Sequence, residues 1–142
     1  MENRKAHYEY YILQEYTAGM QLLGSEVKSL RNNDGNINDC YVYIKDNEVY
    51  VKGMYIAKYK QSSYLNHEEV RDRKLLLNKK EIRDIQKELK VNGITIIPLS
   101  VFTIDGRFKI KIGIAKGKKN HDKRSSIKSK DITKQTNRDL TD

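Results

Sequence analysis

Basic residues are the best candidates for functional chemistry in this sequence. Most of the excess positive charge lies near its C-terminus. Residues 107–142 carry 12 Lys or Arg against 4 Asp or Glu, whereas residues 1–106 carry 16 against 15. Each phosphate that a Lys or Arg neutralises releases counterions, which adds affinity for nucleic acid of any sequence. The distribution predicts a nearly neutral folded body that presents a cationic tail to a polyanion, by default a nucleic acid.

Two further basic stretches lie in the body. Asn3-Arg4-Lys5-Ala6 can serve as a phosphate-contacting arm, although a charged terminus is more often only solvated. Residues 71–83 hold six basic side chains around three leucines at 75–77, and a helix N-terminus beside such residues readily binds phosphate. The alternative interpretation is that the leucines are core and the cations are solvated.

A third basic group is continuous with the tail. Lys109 and Lys111 alternate with large apolar residues, which predicts a strand with one core face and one basic face. Like charges repel one another along such a face unless a partner compensates them, so a bound polyanion is favoured. This basic group continues along the chain with Lys116, Lys118 and Lys119.

Signals for catalysis are weak. The three histidines lie far apart, and none stands in a spacing typical of a metal site: His7, His67 and His121. No glycine-rich nucleotide-binding motif is present. The carboxylates of Glu26, Asp39 and Glu81 are better explained as helix-end or loop groups than as an acid–base pair. We therefore predict a protein that is not an enzyme and uses no metal or cofactor.

Composition also limits the compartment. Cys40 is the only cysteine, so the chain can form no internal disulfide. No run of about 18 apolar residues is present to span a membrane, and residues 1–6 lack the apolar core of a signal peptide. These features predict a cytoplasmic protein with no membrane partner.

The first half of the chain has the alternation and turns of a β-sheet. Residues 7–16 predict a strand that Ala18-Gly19 interrupts with a bulge or bend. A short helix follows at 25–30, with Ser25 as its candidate N-cap. Residues 41–44 and 48–51 predict a hairpin, which a third strand at 54–56 can extend. Residues 60–70 are expected to form a mobile loop.

The second half contains the clearest helix, at about 78–91. Asn78 and Glu81 form a capping pair at its start, and Asn92-Gly93 ends it. Residues 94–104 and 107–115 predict a hairpin closed by Asp105-Gly106. Pro98 must lie at a bulge or where its missing N–H has no partner.

The order of these elements predicts a mainly β fold, an OB-like antiparallel β-barrel with short helices. Residues 1–115 are expected to form the barrel. Residues 116–142 are expected to form a basic C-terminal tail that is disordered in isolation, because it combines high charge with little apolar surface.

Several motifs stand in a specific order along nearly the whole chain, from Asn3 to about Ile132. The most specific are GSEVKSLR at 24–31, RDRKLLL at 71–77 and AKGKKNHDKR at 115–124. They are accompanied by Asn3-Arg4-Lys5-Ala6, Ala18-Gly19, Asn36-Ile37-Asn38-Asp39 and Asn66-His67. Together these motifs closely resemble those of the SsrA-binding protein family, also called small protein B.

The resemblance implies an RNA-binding adaptor for ribosome rescue by trans-translation. Such a barrel binds the tRNA-like domain of transfer-messenger RNA and brings it, with elongation factor Tu and GTP, to stalled ribosomes. The residues implied to face the RNA are Asn3, Arg4, Lys5, Leu76, Asn78 and Lys109. Those implied to enter the small-subunit decoding centre and messenger channel are Lys118, Lys119, His121, Asp122, Lys123 and Arg124. We expect a monomer.

The sequence departs from the family pattern at a few positions. Thr17 stands where the family usually has Glu, so one polar RNA contact is expected to be lost or replaced. Glu69 replaces a usual Pro, which is expected to loosen its loop. Two other classes remain open at this stage: a general OB-fold translation or ribosomal protein with a basic tail, and a metal-dependent RNA-processing enzyme.

Overall fold

The computed structural model of the chain describes residues 1–59 and 66–118. In this part of the chain the helices are α1 (Ala6–Glu9), α2 (Gly24–Arg31) and α3 (Lys79–Leu89). The strands are β1 (Tyr10–Met20), β2 (Gly35–Asn36), β3 (Tyr41–Lys45), β4 (Glu48–Lys52), β5 (Tyr55–Ile56), β6 (Arg73–Leu76), β7 (Ile94–Ile104) and β8 (Arg107–Gly117). None of these helices is long and apolar enough to cross a membrane.

Six strands form one antiparallel sheet in the order β3-β4-β6-β1-β8-β7. Residues of the two edge strands, β3 and β7, approach to within 8 Å between Cα atoms. The sheet therefore curls into a partly closed barrel, and the prediction of an OB-like antiparallel β fold with short helices is confirmed.

One apolar cluster fills the barrel, because the strands alternate inward and outward side chains. Val49 and Val51 of β4, Leu75 of β6 and Ile110 and Ile112 of β8 are fully buried. Helix α3 packs onto this cluster through its buried face, formed by Ile82 and Ile85. A smaller cluster, where Ala6 of α1 meets β7 and β8, holds the N-terminal helix on the sheet.

Local turn chemistry produces the elements that the sequence predicted best. Asn78 and Glu81 form a reciprocal capping box, with the Asn78 Oδ1 accepting from the Glu81 N–H at 2.8 Å. Asp105 and Gly106 both have positive φ, at 51° and 77°, as a tight β7–β8 turn requires. The register of the hairpin shifts between Pro98 and Ser100, so the proline lies at a bulge as predicted.

Other local predictions are wrong. Residues 6–9 form helix α1 instead of the start of a strand, and β1 continues through Ala18-Gly19 without interruption. The irregularity in its pairing with β8 lies between Ile12 and Gln14 instead. The N-cap of α2 is Leu23, not Ser25, which lies inside the helix with its hydroxyl 2.8 Å from His67 Nδ1.

Two strand boundaries also differ from the prediction. Strand β5 does not extend the β3–β4 hairpin; it pairs with β2 in a separate two-stranded sheet. Strand β8 continues past Ala115 to Gly117, so the division expected after residue 115 falls inside a strand. The loop expected at 60–70 lies partly outside the described residues, which resume at Asn66.

Candidate nucleic-acid interface

A row of residues across three neighbouring strands brings together two of the predicted RNA contacts. Gly19 of β1 pairs with Leu76 of β6 on one side and with Lys109 of β8 on the other. Leu76 is 53% exposed although it is apolar. A Cβ atom on Gly19 would lie 3.3 Å from Leu76 Cβ and 3.6 Å from Lys109 Nζ. The glycine therefore lets the leucine and the ammonium group approach each other over one surface.

An open groove of about 260 Å³ adjoins this row. Its lining combines apolar side chains with cations, and the members outside the row itself include Met20, Leu22, Val27, Arg107 and Phe108. Apolar surface accepts the face of an unstacked base, while neighbouring cations contact phosphate. This combination suits RNA better than it suits a purely apolar ligand.

Asn78 lies two residues beyond Leu76, at the start of α3. Its carboxamide oxygen is used by the helix cap, so the NH₂ group is what this exposed side chain can offer a ligand. Lys79 and Lys80 follow in the first turn and are exposed. The structure therefore places Asn78 two residues along the chain from Leu76, with the exposed Lys79 and Lys80 next to it.

The basic stretch at 71–83 is only partly available to a ligand. Arg73 is fully buried and binds the Glu26 carboxylate at 2.5 Å, while Arg71 binds the same carboxylate at 2.6 Å. Lys74 forms an exposed pair with Glu48 at 3.4 Å. Three of the six cations therefore serve the fold, and the phosphate-binding prediction for this stretch is limited to Lys79, Lys80 and Arg83, which are exposed.

Glu26 is the centre of a buried ion cluster that the sequence did not reveal. Burial raises the pKa of Glu26, but hydrogen bonds from Arg71, from the Leu23 N–H and from Arg73 outweigh burial and hold the pKa below its ordinary value. Arg73 also donates to the Met54 carbonyl oxygen at 2.6 Å. The available signal was strand alternation, since Arg73 shares the core face of β6 with Leu75 and must have a buried partner there.

The N-terminal candidates lie away from Lys109 along β8. Asn3 is anchored through its side-chain amide to the Pro98 carbonyl oxygen at 2.9 Å. Arg4 and Lys5 are exposed, and Lys5 lines a cleft of about 250 Å³ with Thr95 and other residues. Thr95 pairs with Ala115, which is ~20 Å along β8 from Lys109 at ~3.3 Å per residue. Asn3 binds Pro98, which pairs with Ile112 only ~10 Å along β8 from Lys109, so Lys5 is the N-terminal candidate that is well separated from the row.

Lys118 ends the described part of the chain and lies against α1. Its side chain is 8% exposed, and its Nζ donates to the His7 carbonyl oxygen at 2.8 Å. Its backbone N–H donates to the Glu9 carbonyl oxygen at 2.8 Å. The ammonium group also lies 4.9 Å from the centre of the Tyr11 ring. The other residues predicted to enter the ribosome lie outside the described residues: Lys119, His121, Asp122, Lys123 and Arg124.

The two departures from the family pattern are both placed by the structure. Thr17 is exposed on β1 opposite Lys111 of β8. The Glu69 carboxylate accepts a hydrogen bond from the Tyr55 hydroxyl at 3.0 Å, and the Glu69 carbonyl oxygen accepts from the Ile56 N–H at 2.9 Å. The Glu69 side chain therefore adds one tie to β5 through Tyr55, whereas the carbonyl contact is one that proline could also make.

No group of three or more His, Cys, Asp or Glu residues in the described ranges is arranged to hold a metal ion. The surface of the barrel carries cations at both ends of β8. The exposed Leu76 lies beside an apolar groove. Fold and site together define a small barrel protein of the nucleic-acid-binding class.

Comparison with known proteins identifies the family. The model of the SmpB protein family matches residues 1–142, and the chain belongs to this family. An SsrA-binding protein of Wolbachia pipientis subsp. Culex pipiens (strain wPip) is 50% identical over 138 residues, which cover 96% of this chain and 93% of that protein. The SsrA-binding protein of Acholeplasma laidlawii (strain PG-8A) is 47% identical over 139 residues, covering 98% and 93%.

A solved structure is also similar. It is described as "tmRNA-SmpB: a journey to the center of the bacterial ribosome" and superposes with a TM-score of 0.70 at 37% identity. The match covers 89% of this chain and 93% of that one. The likeness therefore includes almost the whole body described above and is supported by sequence as well as by fold.

Proposed function

We propose that this protein is an RNA-binding adaptor that binds the tRNA-like domain of transfer-messenger RNA and delivers it to stalled ribosomes for trans-translation. The observation that carries this proposal is the match along nearly the whole chain to a protein described with transfer-messenger RNA on the bacterial ribosome. Such an adaptor works where bacterial ribosomes translate, in the cytoplasm.

The row of Leu76, Gly19 and Lys109 is the main RNA contact in this proposal. Leu76 and the adjoining groove provide apolar surface for bases, Lys109 provides a phosphate contact, and Asn78 offers its NH₂ group from the start of α3. Arg4 and Lys5 form a second contact at the other end of β8, with Asn3 holding them in place through its bonds to Pro98 and Leu99. Two separated contacts fix the orientation of an RNA better than one can.

The C-terminal segment is assigned to the ribosome, as the family resemblance implies. Lys119, His121, Asp122, Lys123 and Arg124 would enter the small-subunit decoding centre and messenger channel, where cations can contact RNA phosphates. Elongation factor Tu with GTP would join through the RNA. We further propose that the protein acts as a monomer, for which sedimentation equilibrium of the free protein is the test.

The central experiment is a titration of labelled tRNA-like domain with the full-length protein at several salt concentrations, with an elongator tRNA as competitor. Tight binding that the tRNA displaces only poorly is expected. Equal competition by the tRNA would instead favour a general OB-fold translation protein with a basic tail. Lys109→Gln and Lys111→Gln form a matched pair on one strand, since only Lys109 lies in the row and Lys111 pairs with Glu15 at 3.7 Å.

An adaptor of this kind has no catalytic step of its own. Incubation of labelled RNA with the purified protein and a divalent metal ion should leave the RNA intact. Cleavage that follows the protein through purification would contradict the proposal and support an RNA-processing enzyme.

A further inference from the structure

Lys118 is buried in a way that is unusual for a lysine next to a segment rich in charge. Lysine is among the residues least often fully buried, because its ammonium group is strongly hydrated. Here the side chain is 8% exposed and is held at its end by the His7 carbonyl oxygen and the Tyr11 ring. The residue two positions earlier, Lys116, is exposed on the same strand.

The contacts of Lys118 satisfy the end of helix α1. The last carbonyl groups of a helix have no partner within the helix, and a lysine side chain near that end can bind them. Lys118 binds the His7 carbonyl oxygen through Nζ and the Glu9 carbonyl oxygen through its backbone N–H, both at 2.8 Å. One residue therefore joins the end of β8 to the helix that follows Asn3, Arg4 and Lys5.

We propose that Lys118 is a positioning residue, which fixes the end of β8 against α1 and so sets the point at which the chain leaves the barrel beside the N-terminal arm. This inference rests on the proposed function, because it concerns the segment assigned to the ribosome. It gives Lys118 a different role from Lys119 and the cations after it. Lys118 acts through the segment it holds, whereas the later cations act through their own charge.

Salt dependence separates these two roles. A lysine that contacts a phosphate contributes about one counterion, so its removal lowers the slope of log affinity against log salt by about 1. Lys118 contacts a carbonyl oxygen and a ring, so its removal takes away no phosphate contact of its own, and the cost is the ordering of the released end of β8 on binding. Affinity then falls while the slope stays the same.

The experiment compares full-length Lys118→Gln with Lys116→Gln, which removes the same charge at an exposed position two residues away. Binding of each variant to the tRNA-like domain is measured first, followed by binding of the protein–RNA complex to ribosomes stalled on a message without a stop codon. We expect Lys118→Gln to weaken ribosome binding by up to about tenfold, because the strength of one hydrogen bond to a charged group limits what this anchor can contribute. Its RNA affinity and its salt slope on the ribosome should match those of the unmodified protein, whereas Lys116→Gln, an exposed member of the basic group, is free to lower the slope.

Two further variants test the contacts themselves. Lys118→Arg retains a cation that can reach the same carbonyl and ring, and it should restore ribosome binding. Tyr11→Leu removes the ring without changing the charge and should share part of the Lys118→Gln defect. A salt slope lowered by about 1 in Lys118→Gln, or ribosome binding by Lys118→Gln equal to that of the unmodified protein, would overturn the positioning role. Failure of the unmodified protein to bind the RNA would overturn the proposed function instead.

Discussion

Two buried cations in this protein differ in what surrounds them. Arg73 is buried on the core face of β6. It binds the Glu26 carboxylate and donates a further hydrogen bond to the Met54 carbonyl oxygen. Lys118 lies at the end of β8, where carbonyl oxygens and the Tyr11 ring hold it against α1. The first arrangement connects α2 to β6 inside the body. The second holds the end of β8 against α1. Burial of Arg73 therefore stabilises the body, whereas burial of Lys118 fixes the point at which the chain leaves it.

The largest expected effect is on stability, at the Glu26 cluster. Glu26→Gln leaves Arg73 buried without its counter-charge, which should lower the free energy of unfolding by about 3–5 kcal/mol. Urea denaturation followed by circular dichroism measures this loss. Glu15→Gln, which breaks the exposed pair with Lys111, is the matched control and should cost no more than about 1 kcal/mol. Equal losses of unfolding free energy in the two variants would show that the buried cluster contributes no more to stability than the exposed pair does.

The same cluster predicts a dependence on pH. The pKa of Glu26 is lowered in the folded protein, through hydrogen bonds that outweigh the opposing effect of burial. The stability that this carboxylate contributes is therefore complete above its unfolded pKa of about 4.3 and is lost as the pH falls through the folded pKa. The gap in unfolding free energy between the unmodified protein and Glu26→Gln should narrow as the pH is lowered below about 4. A gap that stays constant down to acid pH would argue that the paired charge is not the source of the stability.

RNA binding should depend on neither buried cation but on Lys109. Lys109→Gln should weaken binding to the tRNA-like domain and lower the salt slope by about 1, as expected for one lost phosphate contact. Lys111→Gln should change both less, because its ammonium group already has a carboxylate partner. Affinity and slope are obtained together from fluorescence anisotropy at several salt concentrations. A larger effect at Lys111 would move the RNA contact off the proposed row.

The smallest effect concerns Cys40, whose reactivity reports on opening of the body. Burial raises the pKa of its thiol to about 12, and its Sγ donates to the Ile37 carbonyl oxygen at 2.8 Å. Because the thiolate is the reactive form, labelling by a thiol reagent at neutral pH should require opening of the fold. Glu26→Gln should accelerate labelling, whereas Lys118→Gln should leave the rate nearly unchanged. Faster labelling in Lys118→Gln would mean that the joint at α1 also stabilises the barrel.

Elements defined by local chemistry could be predicted from the sequence. The Asn78–Glu81 cap and the Asp105-Gly106 turn each depend on a few neighbouring residues. The two hairpins and the mainly β class followed from alternation and turns. Leu76, Asn78 and Lys109 were named through the resemblance, and antiparallel pairing with β1 explains why Leu76 and Lys109, far apart in sequence, lie on one surface.

Elements that depend on distant contacts could not be predicted in this way. Helix α1 has only four residues, too few to be stable alone. It is held by the bond from Asn3 to Leu99 and by Lys118, so both supports come from residues far along the chain from the helix. The partner of Arg73 was hidden for the same reason, since Glu26 is 47 residues away. Local propensity in residues 6–9 favoured a strand, and tertiary packing overrode it.

The way in which α1 is held determines which substitutions the sequence can accept. His7 and Glu9 contribute main-chain carbonyl oxygens to Lys118, and almost any amino acid at these positions supplies the same atoms. The opposite side of the contact requires a long cationic side chain at one position. Substitutions should therefore be tolerated at the exposed positions of α1. Position 118, in contrast, should accept only lysine or arginine.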